Sequence, residues 1–353
     1  MRLIPAGVFR YEPRRHGGHG DHRLPKDISV LSVSPWLVVM IALHLTGSSA
    51  MAQRLPFQKS LDAAGVTTLD VSTIRGKINV VSGGTDRIEV GGAVTVRIGL
   101  DVPENPLEIA QRIAANPPIE RAGDTVRLRP PADARDRRAV TVNYDVRVPA
   151  NTKLVSVSDS GETTIADLAG PVDVRTQSGA IALQRMGGTT TISTGSGAVL
   201  VEGTKGPLTV TTSSSAFTAR ALRSHLHVRT MSGAVNAGFE GGGDVDIETG
   251  SSAIQLRGVR GAVAAASRSG RITVDGQPDR QWAISTGSSA VEVAVASPPL
   301  TLDVTSGSGS VQVSGATVNG TVTKRAINGS VGNGGPPVRI SSRSGSIRIN
   351  VGR

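Results

Sequence analysis

Three carboxylates alternate in the stretch "GGGDVDIE", so Asp244, Asp246 and Glu248 share one face of an extended strand. Carboxylate oxygens are the ligands that calcium prefers, and such a row could also serve catalysis. One sequence repeat earlier, the equivalent positions hold Arg229 and His227. We therefore expect Glu248 to pair with Arg229 and Asp246 with His227, an arrangement that needs no metal. A calcium site and a catalytic pair stay open as the alternatives.

The remaining metal-ligating residues are few. His225 and His227 share one strand face, but no third ligand accompanies them. Cysteine is absent from the 353 residues, which excludes disulfides, thiolate metal sites and cysteine nucleophiles. The glycine-rich "GGTD" at 83–86 lacks the Lys-Ser/Thr of a phosphate-binding loop. We predict no metal and no cofactor.

Arginines are dense in one short segment of a chain whose formal net charge is +10. A patch of this kind could bind phosphate-bearing or other anionic polymers. The alternative is a solvated face that prevents association at sheet edges. The candidate anion-binding residues are Arg257, Arg260, Arg268 and Arg271, with Arg280 close behind them.

A Ser-Gly pair, or its Ser-Ser variant, returns throughout the second half of the chain, as in "RTMSGAVNAGF" and "STGSGAVLV". The interval is 18 to 20 residues, and one final interval of 36 holds a degenerate copy around Asn328 and Gly329. A fixed period of this size is typical of a repeat architecture. Taking the first residue of each pair as position 0, the zeros are Ser160, Ser178, Ser196, Ser214, Ser232, Ser251, Ser269, Ser288, Ser308 and Ser344.

Apolar residues alternate on both sides of each pair, at positions −6 and −4 and again at +3 and +5. Alternation with a period of two predicts strands with one buried face, and the change of parity at the pair predicts a corner. The chain is therefore predicted to be all-β, a parallel β-solenoid (β-helix) with coils of about 18 residues. About eleven coils at ~4.8 Å each would give a rod on the order of 50 Å long.

Position −2 carries a hydroxyl with the parity of the buried residues. Stacked from coil to coil, it and the serine at position 0 are predicted to form two structural ladders that satisfy the polar groups of the corner. Ten equivalent serines without a nearby base do not indicate a nucleophile. The ladder residues are Thr176, Thr194, Thr212, Thr230, Thr249 and Thr286 at position −2, and Ser178, Ser196, Ser232 and Ser269 at position 0.

The N-terminus has the pattern of an export signal. The apolar run 31–45 is followed by Ala50 and Ala52 at the small-residue positions of a cleavage site, so residues 1–52 are predicted to be a signal peptide with an extended n-region. An uncleaved membrane anchor is the alternative, and no later segment is apolar enough to span a membrane. Export places the protein in the periplasm, at the cell surface or outside the cell.

Two further regions follow the signal. Residues 53–150 are predicted to form an N-terminal β region, with a short helical insertion at 107–114. Residues 151–353 are predicted to hold the solenoid repeats. The repeat frame also fits "LDVSTIRGKINV", so the continuous solenoid domain is expected to begin between residues 65 and 69.

The stretch "YDVRVPANTKLVSVSDSGETTIADLAGPVDVRTQSGAIAL", preceded by "GKINV", resembles a bacterial family of exported β-solenoid domains labelled "putative adhesin". The resemblance covers residues 65–350. It implies the fold and, by analogy, surface association, and it supplies no catalytic residues.

The sequence therefore predicts a non-catalytic, structural or adhesin-like protein of the bacterial cell envelope. Its expected partners are anionic envelope polymers or surface proteins. Specific nucleic-acid binding is not expected, because aromatic residues make up only 2% of the chain and bases stack on exposed aromatic side chains. The alternatives are a lyase-like enzyme acting on acidic polysaccharide and an envelope scaffold that polymerises end to end. The oligomeric state is left open.

Overall fold

A computed structural model describes residues 53–352. The predicted signal peptide lies outside the described residues. The first elements are β1 (Arg54–Asp62), β2 (Thr68–Thr73), β3 (Ile78–Ser82), β4 (Arg87–Val96), α1 (Pro106–Ala115), β5 (Ile119–Ala122), β6 (Thr125–Leu128), α2 (Ala134–Ala139) and β7 (Val140–Val148).

From residue 153 onward the strands come in pairs, and each pair forms one coil. The first eight pairs are β8 (Lys153–Ser158) and β9 (Thr163–Ala166), β10 (Val172–Thr176) and β11 (Ile181–Met186), β12 (Thr190–Thr194) and β13 (Val199–Thr204), β14 (Leu208–Thr212) and β15 (Phe217–Leu222), β16 (Leu226–Thr230) and β17 (Val235–Phe239), β18 (Val245–Thr249) and β19 (Ile254–Val259), β20 (Val263–Ser267) and β21 (Ile272–Gly276), and β22 (Trp282–Thr286) and β23 (Val291–Val295). The C-terminal strands are β24 (Leu300–Ser306), β25 (Val311–Ser314), β26 (Val318–Val322), β27 (Ala326–Val331), β28 (Pro337–Ser342) and β29 (Ile347–Val351).

The two strands of a coil belong to two different sheets. The even-numbered strands β8–β22 lie in a 15-stranded sheet, which we call sheet B, and their odd-numbered partners lie in a 14-stranded sheet, which we call sheet A. Equivalent residues of successive coils pair in parallel, as Val174 does with Ile192 and Ile192 with Val210. The predicted parallel β-solenoid is confirmed, and eleven coils are present in the described residues once β2–β3, β24–β25 and β28–β29 are included.

The core fills the space between the sheets. The residues at −6, −4, +3 and +5 alternate with exposed neighbours, and most of them are Val, Ile or Leu with little or no accessible surface. Trp282 is fully buried, and its Nε1 donates a hydrogen bond of 3.0 Å to the carbonyl oxygen of Gly261 one coil earlier. Phe217 also points inward. The aromatic rings in the repeats therefore serve packing.

The N-terminal region extends the two sheets beyond the first coil. In sheet A, β7 pairs in parallel with β3, and β4 and then β1 add antiparallel strands. In sheet B, β6 pairs with β2, and β5 forms the edge. The predicted helical insertion is confirmed as α1, whose Ile109, Ala110 and Ile113 are buried. Arg112 of α1 forms an ion pair of 2.8 Å with Asp136 of α2.

The order of the last coils in space differs from their order in sequence. Strand β28 lies between β22 and β24 in sheet B, and β29 lies between β23 and β25 in sheet A. The chain thus leaves the coil of β22–β23, skips one layer to build β24–β25, and returns to fill the gap with its final coil. Residues far apart in sequence, such as Ile284 and Ile340, become direct neighbours.

The predicted degenerate coil around Asn328 and Gly329 is wrong. These residues lie in β27, which forms a hairpin with β26 and pairs antiparallel with β24. Only residues 323–325 join β26 to β27, and so short a connection permits antiparallel but not parallel pairing. The hairpin therefore covers β24 instead of adding a layer.

Both ends of the coil stack carry additional antiparallel strands within the described residues. Strands β26 and β27 extend sheet B beyond β24, and β1, β4 and β5 occupy the opposite end. End-to-end polymerisation would need an uncapped terminal coil. Of the final coil in space, only the four-residue strand β25 forms a parallel edge, in sheet A.

A left-handed residue recurs at position +7, where the strand of sheet A ends. Asp167, Arg185, Gly203 and Ala221 have φ between 54° and 74°, and each follows the previous one by 18 residues. Gly258 continues the series at φ 70°. The sequence pattern did not indicate this feature, because three of the first four residues are not glycine.

Candidate binding surface

The corner that links sheet B to sheet A is built around the hydroxyl at position −2. Thr176, Thr194 and Thr230 are buried, and each Oγ1 accepts a hydrogen bond of 2.9 to 3.2 Å from the backbone amide three residues later. Thr212 makes the same bond with the amide of Ser215 at 3.1 Å. The hydroxyl thus binds an amide that the tight corner would otherwise leave without a partner.

Two ladder threonines depart from this pattern. The hydroxyl of Thr286 donates to the carbonyl oxygen of Gly270 at 3.2 Å and so joins two coils directly. Thr249 is buried, but its Oγ1 has no hydrogen-bond partner within the described residues. The corner after Thr249 carries Ser251 and Ser252 where most coils have Ser-Gly.

The serines at position 0 are exposed. Ser178 donates to the carbonyl oxygen of Asp159 at 3.4 Å, and Ser232 lies 3.4 Å from both Ser213 O and Ser214 Oγ. The backbone amides of Ser196 and Ser269 donate to carbonyl oxygens of the preceding coil at 2.9 and 3.2 Å. In the part of the chain that the structure describes, none of these four hydroxyls bonds to a histidine or a carboxylate, the contact that would activate a nucleophile.

A groove runs along this corner on the outer side of sheet B. Its volume is about 1000 Å³, and we call it the corner groove. Its floor is formed by the threonines at −2, and its sides by the outward residues at −3 and −1. The residues that line it include Gln177, Ser193, Gly195, Thr211, Ser213, Arg229, Met231, Glu248, Gly250, Ala266, Arg268 and Ser269. Six successive coils contribute to it, so the same small polar chemistry repeats along the solenoid axis.

The two charged arginines of the corner groove differ in their surroundings. Arg229 faces Glu248 at 3.9 Å, and both side chains are well exposed. Arg268 has no ion-pair partner in the described region. Between them lies Met231, with 67% of its surface exposed. The surface therefore offers hydroxyls, one apolar side chain and a modest excess of positive charge.

The four candidate anion-binding arginines do not share one surface. Arg268 follows β20 and lines the corner groove, whereas Arg271 precedes β21 and lies 3.6 Å from Glu292. Arg257 points outward from sheet A, and Arg260 lies in the opposite corner, between β19 and β20. The structure thus brings Arg268 and Arg271 to one corner and separates both from the other two.

The acidic cluster of β18 is occupied by cross-coil pairs. Asp246 Oδ2 lies 2.9 Å from His227 Nδ1, and Glu248 faces Arg229, so both predicted pairs are present. Asp244 binds Arg280 through both of its oxygens, at 2.9 and 3.1 Å, and accepts the amide of Ala262 at 2.9 Å. These contacts use the carboxylates for joining coils.

His225 also lies beside this cluster. Its Nδ1 accepts a hydrogen bond of 3.2 Å from the backbone amide of Asp244 and lies 3.7 Å from a carboxylate oxygen of the same residue. Across residues 53–352, no group of three or more His, Asp and Glu side chains has the arrangement of a metal site.

The strongest shift in acidity belongs to a residue of the N-terminal region. Burial raises the pKa of the Tyr144 phenol, which donates a hydrogen bond of 2.7 Å to the carbonyl oxygen of Arg129. Phe57 packs against the same ring edge to face at 6.0 Å. A neutral phenol bonded to a backbone carbonyl holds the inserted strands against the first coil.

The fold and this surface define a two-sheeted parallel β-solenoid with a polar groove along one corner. The chain belongs to the Toastrack DUF4097 family, whose pattern matches residues 139–350. This match confirms the family resemblance seen in the sequence. No curated protein matches the chain.

One solved structure that is similar to the chain is described as a "putative cell adhesion protein" from Clostridium sporogenes ATCC 15579. It is 13% identical, the match covers 84% of this chain and 99% of that one, and the TM-score is 0.20. Within the described residues, no helix is long and apolar enough to cross a membrane.

Proposed function

We propose that this protein is a non-catalytic, adhesin-like scaffold of the bacterial cell envelope that binds surface polymers in the corner groove. The observation that carries the proposal is the continuity of the groove over six coils, from Gln177 to Ser269. A linear polymer that lies along the solenoid axis meets an equivalent set of groups in every coil. Many weak contacts can then add to a useful affinity.

The chemistry of the groove suits a hydroxyl-rich or weakly anionic polymer. Ser193, Thr211 and Ser213 are exposed hydrogen-bonding groups, and Arg268 can bind an anion. The export signal predicted at 1–52 supports placement in the envelope. Surface proteins are the second class of partner, and exposed Met231 is the groove residue best suited to them.

The experiment is binding of the protein, in the form to which the cell processes the full chain, to fractionated envelope polymers. A parallel assay follows unsaturated sugar products. We expect saturable binding and no product. Accumulation of product would contradict the proposal and would favour the lyase-like alternative.

Two matched variants locate the binding. Ser213→Tyr places a bulky ring in the groove, whereas Thr218→Tyr places the same ring on the outer face of sheet A in the same coil. We expect the first variant to lose polymer binding and the second to keep it. Equal binding by both variants would show that the corner groove is not the site.

A further inference from the structure

A row of unpaired basic residues continues the corner groove toward the C-terminal end of the stack. Arg268 and Arg343 both stand at position −1, immediately after their strands of sheet B. Because β28 lies next to β22, only one coil separates them in space, although 75 residues separate them in sequence.

The coil between them contributes a glycine to the row. A Cβ at Gly287 would lie 2.1 Å from the carbonyl oxygen of Arg268. On the other side, the amide of Ser344 donates to the carbonyl oxygen of Gly287 at 3.2 Å. Gly287 is thus stacked between the two arginines and places no side chain there. Since neighbouring strands are ~4.8 Å apart, the two arginine backbones stand about 10 Å apart.

The alternation continues to the end of the stack. Gly307 follows Arg343, and its Cβ would lie 2.4 Å from the carbonyl oxygen of Arg343. Beyond Gly307, the exposed turn 323–325 carries Lys324 and Arg325, and the carbonyl oxygen of Arg325 accepts the amide of Ser306 at 2.8 Å. Basic side chains therefore occupy every second layer of this corner, and we call Arg268, Arg343 and Arg325 the arginine row.

No acidic residue neutralises the arginine row. In the four coils concerned, every residue at positions −3, −2, 0 and +1 is Ala, Gly, Ser or Thr. Within the described residues, the side chains of Arg268, Arg343 and Arg325 make no ion pair and no hydrogen bond. By contrast, Arg348 of the same coil as Arg343 faces Glu292 at 3.7 Å on the outer side of sheet A. The arginine row is thus a line of free guanidinium groups on a surface of small residues.

We propose that the arginine row binds a linear polyanion, with phosphate or carboxylate groups of one polymer chain contacting successive arginines. This inference rests on the proposed function, because it assigns the charged part of the polymer to the charged end of the corner groove. Guanidinium groups bind both kinds of anion through paired N–H donors. A single line along a corner fits an extended polymer, whereas a bilayer surface would require a plane of contacts.

The test measures binding of the full chain to long-chain polyphosphate and to polygalacturonate as a function of salt. Arg268→Gln and Arg343→Gln are each expected to weaken binding three- to tenfold and to reduce the salt dependence. Arg348→Gln removes the same charge from the same coil as Arg343, and it is expected to change affinity less than twofold. Preference for one polymer assigns the anion as phosphate or carboxylate.

Three outcomes would overturn the assignment. An equal loss in R343Q and R348Q would show that net charge, not the row, drives binding. Equally strong, row-dependent binding to anionic phospholipid vesicles would replace the polymer by a membrane. If neither polyanion binds while envelope polymers still bind in a Ser213-dependent way, the arginine row fails and the proposed function stands.

Discussion

The hydroxyl of Thr230 accepts a hydrogen bond of 2.9 Å from the amide of Gly233, and the corresponding hydroxyl of Thr249, one coil later, has no partner in the described residues. Both threonines are buried at the same position of the repeat. The solenoid therefore contains its own comparison between a bonded and an unbonded corner hydroxyl.

We predict opposite consequences for the same substitution at these two positions. Thr230→Val leaves the buried amide of Gly233 without an acceptor and should lower the free energy of unfolding by about 1–3 kcal/mol. Thr249→Val removes an unsatisfied buried hydroxyl and should be neutral or slightly stabilising. Chemical denaturation of both variants measures the difference. Equal losses would contradict a role for the corner hydrogen bond.

The left-handed position at the end of each sheet A strand permits a reciprocal exchange. Gly203 and Ala221 occupy it in adjacent coils, at φ 74° and 54°. Ala221→Gly should stabilise the protein by about 1 kcal/mol because it relieves the strain of a Cβ at positive φ, and Gly203→Ala should cost a similar amount. A Cβ at Gly203 meets nothing closer than 3.7 Å, so the effect is conformational and not steric.

Thermal unfolding of the two single variants and of the double variant tests this prediction. We expect opposite shifts in Tm that nearly cancel in the double variant. Shifts of the same sign would show that the two positions are not equivalent.

The sequence predicted the repeat well because the alternation at −6, −4, +3 and +5 has one dominant physical cause, burial between two sheets. The corner residues followed from the same parity. The pairs of Asp246 with His227 and of Glu248 with Arg229 were predictable because the register of a solenoid is fixed by its period.

The order of the last coils was not predictable from this pattern. The copies at Ser308 and Ser344 look alike in sequence, and their parallel register would be the same in either order. What differs is the hairpin at 318–331, which pairs with β24 and so places it at the end of sheet B's coils. The arginine row escaped notice for this reason, since Arg343 becomes a near neighbour of Arg268 only after the exchange.

The carboxylate of Asp244 joins three coils through Arg280 and the amide of Ala262. Asp244→Asn weakens both contacts and should cost about 1–2 kcal/mol of stability. Glu248→Gln serves as the control because its ion pair with Arg229 is exposed, and we expect a change within about 0.5 kcal/mol. Calcium at millimolar concentration should leave Tm unchanged, and a rise in Tm that is lost in D244N would favour a metal site instead.

Asp70 of the first coil should make the stability depend on acid pH. Its hydrogen bond with Arg129, which outweighs partial burial, holds the pKa of the carboxyl below its usual 3.8. The folded state therefore favours the ionised form. The resulting stabilisation is complete at pH values above 3.8 and is lost as the pH falls through the lowered pKa.

The measurement is the free energy of unfolding of wild type and Asp70→Asn across this range. We expect the gap between them to be constant from pH 7 to pH 5 and to close well below pH 3.8, where the wild-type carboxyl is protonated. Arg129→Gln should reproduce the profile, and the double variant should add little to either single one, because all three remove one interaction. A gap that stays constant down to the lowest pH would show that ionisation of Asp70 does not contribute to holding the inserted strand β6 on the first coil.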